Sequence, residues 1–171
     1  MDTTPTEQEL RTFAGRNADY YMTTWRPSLE GDGTFTRLNL AGFFLGGLWL
    51  GYRKMYSPLL ILYALIFVES IAEIVIFVGV LRMDDSPRLL SGLVGLTAGV
   101  IVGVYGNRWY LARARRVIAE VRSLGLSEGD HMRELTHRGG TNLWGCVGLF
   151  IVFLAGMATV TVILFELFDP Q

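Results

Sequence analysis

Leu59 to Leu81 constrains the rest of this chain. It reads Leu-Leu-Ile-Leu-Tyr-Ala-Leu-Ile-Phe-Val-Glu-Ser-Ile-Ala-Glu-Ile-Val-Ile-Phe-Val-Gly-Val-Leu. At ~1.5 Å rise per residue, a helix of this length measures roughly 34 Å, enough to cross the ~30 Å hydrocarbon core of a bilayer. Ser57 and Pro58 precede it, a capping residue followed by the residue best suited to a first helical turn. Glu69 and Glu73 lie near its middle, four positions apart and therefore on one face. Acids at membrane depth do not face lipid cheaply, so that face is expected to be buried against another span or another subunit.

Hydrophobic residues make up 51% of the 171, which suits a small membrane domain with polar flanks better than a soluble domain. The formal net charge of -1 gives no global field that would point to nucleic acid. Cys146 is the single cysteine and sits in an apolar run, so it reads as a packing residue rather than a nucleophile. Met1 to Thr12 is polar and acidic, without the apolar segment of a signal peptide.

Three further apolar segments accompany the first. Leu89 to Gly106 reads as a second span, with Ser91, Gly95, Gly99 and Gly103 at intervals of four forming a groove for close helix packing. Leu143 to about Phe165 reads as a third, capped by Thr141 or Asn142. Asn39 to Tyr52 makes a helix of only about 21 Å, too short to span. Basic residues flank it on both sides (Arg37, then Arg53 and Lys54), which predicts a re-entrant or interfacial helix. Its pairs Gly42/Gly46 and Gly47/Gly51 invite another helix to approach.

The flanking segments are amphipathic. Thr6 and Glu9 form a possible capping box opening a helix through about Thr24, before a loop marked by Pro27, Gly31 and Gly33. A second amphipathic stripe runs through Ala114, Val117, Ile118, Val121 and Leu124 and ends at Gly125. Ser127 caps a shorter helix to about Arg138, and Gly139 and Gly140 break the chain. Three regions follow: an N-terminal cytoplasmic or interfacial segment (1–38), the short helix (39–56), and a three-span domain (57–171) with a cytoplasmic helical segment at 107–141.

Basic residues set the expected orientation. Arg108, Arg113, Arg115, Arg116, Arg122, Arg133 and Arg138 lie between the second and third spans, and Arg11, Arg16, Arg26, Arg37, Arg53 and Lys54 lie before the first. The loop after the first span holds only Arg82 and Arg88, balanced by Asp84 and Asp85. The positive-inside bias then places the N-terminus and the 107–141 segment in the cytoplasm and Gln171 outside.

Three runs are distinctive: Asn39-Leu-Ala-Gly-Phe-Phe-Leu-Gly-Gly-Leu-Trp-Leu-Gly-Tyr-Arg-Lys-Met-Tyr56, Gly106-Asn-Arg-Trp-Tyr110 and Arg138-Gly-Gly-Thr-Asn142. Together they resemble a bacterial membrane-protein family known as domain of unknown function 2628. Its members carry an Asn-Trp-Ala-Ala-Phe-Phe segment leading to Trp-Leu-x-Tyr-Arg-Lys-Met. Leu40 stands in place of that Trp, Gly42 in place of the second Ala, and Gly47 in place of a frequent Pro. The resemblance implies a bacterial inner-membrane location and carries over no reaction.

The sequence offers no catalytic constellation. His131 and His137 are six apart and do not share a helix face, so a metal site is not expected. No His-Glu-x-x-His, Gly-x-Ser-x-Gly or phosphate-binding glycine loop occurs. Arg53, Lys54, Arg108, Arg113, Arg115 and Arg116 read as topology determinants or contacts for anionic lipid headgroups. Thr97, Thr159 and Thr161 offer hydroxyls to Glu69 and Glu73. The expected protein is all-α, non-catalytic and without a cofactor: an accessory, scaffold or assembly subunit of a larger membrane complex, for example an energy-transducing one (respiratory or photosynthetic). Its partners are other membrane subunits or copies of itself, and lipids. The alternative is a small oligomeric transporter or ion-conducting protein using Glu69 and Glu73.

Overall fold

The computed structural model describes residues 4–31, 37–83 and 88–168. Gly33, Asp84, Asp85, Ser86, Pro87, Met1 and Gln171 lie outside the described residues. Every regular element described is helical: α1 (Glu7–Ala14), α2 (Ala18–Leu29), α3 (Leu40–Leu45), α4 (Gly47–Tyr52), α5 (Tyr56–Ile74), α6 (Arg88–Ser123), α7 (Glu128–Arg138) and α8 (Leu143–Phe168). Three of them, α5 with its continuation to Val80, α6 and α8, are long and apolar enough to cross a membrane.

The capping box at the start of α1 is formed. Thr6 Oγ1 accepts from Glu9 N at 3.2 Å, and the Glu9 carboxylate accepts from Thr6 N at 2.7 Å. The helix does not continue to Thr24, however. Gly15 takes φ 65, a 3-10 turn follows at Gly15–Asn17, and α2 folds back on α1. Pro27, expected in a loop, lies in the last turn of α2, where it removes a single main-chain bond.

The short helix expected over 39–52 is two helices. Asn39 caps α3, its Oδ1 accepting from Gly42 N at 2.8 Å, and Gly46 (φ 49) separates α3 from α4. A Schellman motif closes α4: Met55 N donates to Leu50 O at 2.8 Å and Lys54 N to Gly51 O at 2.9 Å. Lys54 holds φ 56 at the position glycine usually fills. Ser57 and Pro58 sit inside the first turn of α5, which begins at Tyr56, and the end of α5 widens into a π-helical turn over Val75–Val80.

α6 passes without a break through Arg108, where the sequence pattern changes from apolar to amphipathic. Gly125 (φ 61) follows its end. Ser127 caps α7, accepting from Asp130 N at 3.3 Å, and Asn142 Oδ1 accepts from Gly145 N at 2.9 Å at the start of α8. The main core lies around the later half of α6, where Leu10 and Phe13 of α1, Trp25 of α2 and Leu135 of α7 close on Tyr110, Leu111 and Ile118. Each large side chain fully buried there contributes about 1.5–3 kcal/mol of transfer free energy.

Candidate functional site

α3 and α4 form a hairpin whose arms both return to one level of α6. Asn39 N donates to Gly103 O at 2.8 Å, and one turn deeper a Cβ on Gly99 would stand 2.6 Å from Phe43 O. α3 therefore runs antiparallel to α6, from Gly103 toward Gly95, with its backbone against glycine. A Cβ on Gly103 would meet Phe43 Cβ at 3.0 Å, and one on Gly42 would meet Val102 Cγ1 at 3.1 Å. From the tip at Gly46, α4 climbs back along α5 and α8. Gly51 faces Cys146 and Leu59, and Trp49 lies against Gly106. Cys146 is buried and its thiol donates to Leu48 O at 3.0 Å, a packing role consistent with its surroundings.

The expected groove of four small residues on α6 is thus divided. Gly99 and Gly103 are covered by α3, while among the described residues no atom lies within 4 Å of a Cβ position on Gly95, as also holds for Gly92 and for Gly46 at the hairpin tip. The cause is length, since α3 has six residues and reaches only two of the four positions. Ser91 does something else: its hydroxyl donates to Glu73 Oε2 at 3.0 Å and Oε1 at 3.3 Å.

Glu73 is buried, at 6% exposure, and faces α6 through that contact. Glu69 shares the face and its Oε1 is buried without a hydrogen-bond partner among the described residues. Thr97 and Thr159, candidates to serve these acids, instead donate to Leu93 O and Ala155 O within their own helices.

The basic residues divide into several environments. Arg53, expected at a headgroup surface, is 2% exposed and boxed by aromatic rings. Its guanidinium lies 4.7 Å from the Tyr21 ring centre, 5.2 Å from that of Tyr110 and 5.7 Å from that of Tyr52. Its Nη1 donates to Ala14 O at 3.2 Å, and its Nε has no partner among the described residues. Ring quadrupoles therefore replace a carboxylate as its counter-charge. Lys54 Nζ donates to His137 O at 2.8 Å. Burial, and secondarily the nearby Arg113 charge, hold that ammonium below the ordinary lysine range. Arg113 is half-buried and donates to Arg138 O at 3.3 Å, and exposed Arg115 donates to Ser28 O at 3.4 Å. Arg108 and Arg116 are exposed.

Several residues emerge that sequence patterns did not single out as sites. Glu9 accepts from Arg122 Nη2 at 2.6 Å and Nε at 2.8 Å, and lies 3.1 Å from His131 Nε2, joining α1, α6 and α7. Burial raises its pKa, but hydrogen bonds from Arg122 and Thr6 outweigh that and bring it down to about 2, against an ordinary 4.5. Asn107 is fully buried, its carbonyl accepting from Trp25 Nε1 at 3.1 Å and its Nδ2 donating to Arg37 O at 3.2 Å. Its visible signals were an asparagine inside an otherwise amphipathic helix and its place in the distinctive run Gly106-Asn-Arg-Trp-Tyr110. Among the described residues no three His, Cys, Asp or Glu side chains converge as a metal site.

A family model described as "Protein of unknown function (DUF2628)" matches residues 20–116, more than half of the chain. That range takes in α2 from Tyr20, the α3–α4 hairpin, α5 and α6 as far as Arg116. No curated protein and no solved structure matches the chain.

Proposed function

The chain belongs to the DUF2628 family of proteins of unknown function, and from that premise we propose that it is a non-catalytic accessory, scaffold or assembly subunit of a larger membrane complex. In this reading α5, α6 and α8 are three spans of a bacterial inner-membrane protein. The α3–α4 hairpin is re-entrant, entering and leaving on the side of Arg37 and Arg53. The excess of basic residues around α6 and α7 favours the cytoplasm for that side, with the end of α8 outside. Reporter fusions check the orientation: one after residue 125 is active only in the cytoplasm, and one at residue 171 only in the periplasm.

The observation that carries the reading is the uncovered small-residue face at Gly92 and Gly95, on a helix whose neighbouring glycines are tightly occupied. Close backbone approach is how helices associate in lipid, and a bare stretch of such a face suits a helix from another subunit or another copy. A respiratory or photosynthetic complex is one suitable host. Native purification in mild detergent, with identification of what accompanies the chain, tests this. Gly95→Leu should leave the chain folded and strip the accompanying subunits; an unchanged set of partners would overturn the reading.

One observation favours a transporter as second reading: a buried Glu69 oxygen with no hydrogen-bond partner among the described residues, on the same face as Glu73. Glu69→Gln with Glu73→Gln removes titration while keeping shape. Proton- or ion-linked flux by reconstituted parent protein that vanishes in this double variant would replace the scaffold reading. Normal partner recovery without flux in either form would support it.

A further inference from the structure

An open cleft of about 470 Å³ lies between α5 and α6. Ile61, Leu65 and Ile101 line its apolar part, Trp109 stands farther along α6, and Arg113 and Arg116 close its polar end. The two arginines share with Arg108 and Arg115 the lack of a carboxylate partner among the described residues, and are set apart from them by lining the cleft. Arg122, Arg133 and Arg138 each pair with a carboxylate within 4.0 Å, whereas neither Arg113 nor Arg116 does so among the described residues. Arg113 Nε is also buried without a hydrogen-bond partner among the described residues, and Lys54 adds a third positive charge nearby. An apolar slot ending in two guanidinium groups without a carboxylate partner among the described residues complements an anionic amphiphile.

The dimensions agree. From Ala98, the middle of the Leu89–Gly106 span, to Trp109 the rise along α6 is about 17 Å at ~1.5 Å per residue, against roughly 15 Å for half of a ~30 Å hydrocarbon core, and Arg113 stands one turn farther out. Trp109 then falls at the interfacial level where indole rings are favoured.

We propose that this cleft binds one anionic phospholipid, its phosphate held by Arg113 and Arg116 and one acyl chain lying along Ile61, Leu65 and Ile101. The site rests on the membrane placement proposed above, not on the scaffold role. Headgroup charge provides selectivity and the slot provides retention, so neither a zwitterionic lipid nor a free phosphate ester should substitute.

The test is native mass spectrometry of the detergent-purified full chain, delipidated and titrated with dioleoyl phosphatidylglycerol or dioleoyl phosphatidylcholine. One phosphatidylglycerol should be retained at least tenfold more tightly than phosphatidylcholine. Arg116→Gln, on an exposed side chain, and Leu65→Trp, which fills the slot without changing charge, should each weaken retention severalfold while the thermal melt stays near the parent's. Arg108→Gln with Arg115→Gln should not weaken it. Equal loss in that control would reduce the effect to general surface charge and overturn the site. Displacement by millimolar glycerol phosphate would show that the headgroup suffices, and overturns the acyl slot. Equal retention of both lipids also overturns the proposal. Absence of the chain from the membrane fraction of cells would instead refute the membrane placement, a separate result.

Discussion

The two halves of α6 belong to one unbroken helix and are held in opposite ways. From Asn107 onward it offers large side chains, and α1, α2 and α7 enclose them: Trp25, Tyr21 and Phe13 all lie within 5.5 Å of the Tyr110 ring centre. Before Asn107 it offers mainly its backbone. Glycines let α3 lie against the main chain, and the rest of that half is sparsely covered. One half is built on volume buried and the other on the absence of volume. The same change in side-chain size should therefore have opposite signs in the two halves.

The largest effect is expected in the enclosed half. Trp25→Ala empties the centre of the aromatic cluster and leaves Asn107 O without its indole donor. A loss of about 3–5 kcal/mol is expected, read as a lowered melting transition or denaturation midpoint. A change below about 1 kcal/mol would show that the cluster closes up around the gap.

Next comes addition rather than removal. Gly99→Leu drives a side chain into Phe43 O, and the backbones must separate. The expected cost is about 1–3 kcal/mol, together with protease cleavage near Gly46 that the parent resists. If the variant melts like the parent, the contact between α3 and α6 is not formed in solution.

A smaller effect concerns Glu9. Its carboxyl is held at about 2 against an ordinary 4.5. Its contribution is therefore complete above pH about 4.5 and is lost as pH falls toward about 2. Because Arg122 is 31% exposed, solvent screens the pair, and roughly 1–2 kcal/mol is expected rather than the full shift. Stability followed through this window should flatten in Glu9→Gln; an unchanged slope would assign the acid sensitivity to other carboxylates.

The smallest is Gly95→Leu in the isolated chain. With no neighbour within 4 Å of a Cβ there among the described residues, its effect on stability should stay within about 0.5 kcal/mol. A large intrinsic loss would mean that the open part of the face is covered by this chain itself.

Much of this arrangement was legible because its signals are local. Thr6 with Glu9, and Ser127 with Asp130, are complete within four residues. The three long apolar segments needed only length and hydropathy. What escaped depends on partners distant in sequence. Nothing near Gly15 or Gly46 distinguishes a glycine that breaks a helix from one that packs inside it, as Gly99 and Gly103 do. Arg53 read as a surface charge because its aromatic box comes from α2, α4 and α6. The π-helical turn at Val75–Val80 has no side-chain pattern of its own. The Ser91–Glu73 contact and the cleft likewise join α5 to α6, which adjoin in sequence but carry no motif for the pairing.

Because α6 does not bend at Arg108, it is a stiff rod. Its 36 residues measure about 54 Å at ~1.5 Å each, well beyond the ~30 Å that a bilayer's interior can hold. In the membrane placement proposed above, a rod embedded over part of its length would act as a lever. Local thinning of the bilayer tilts an over-long span. In that placement, tilt of the embedded arm would swing the far arm through the same angle, together with the helices clasped to it by Glu9, Arg122 and His131. Membrane thickness would then set the angle at which those helices are presented.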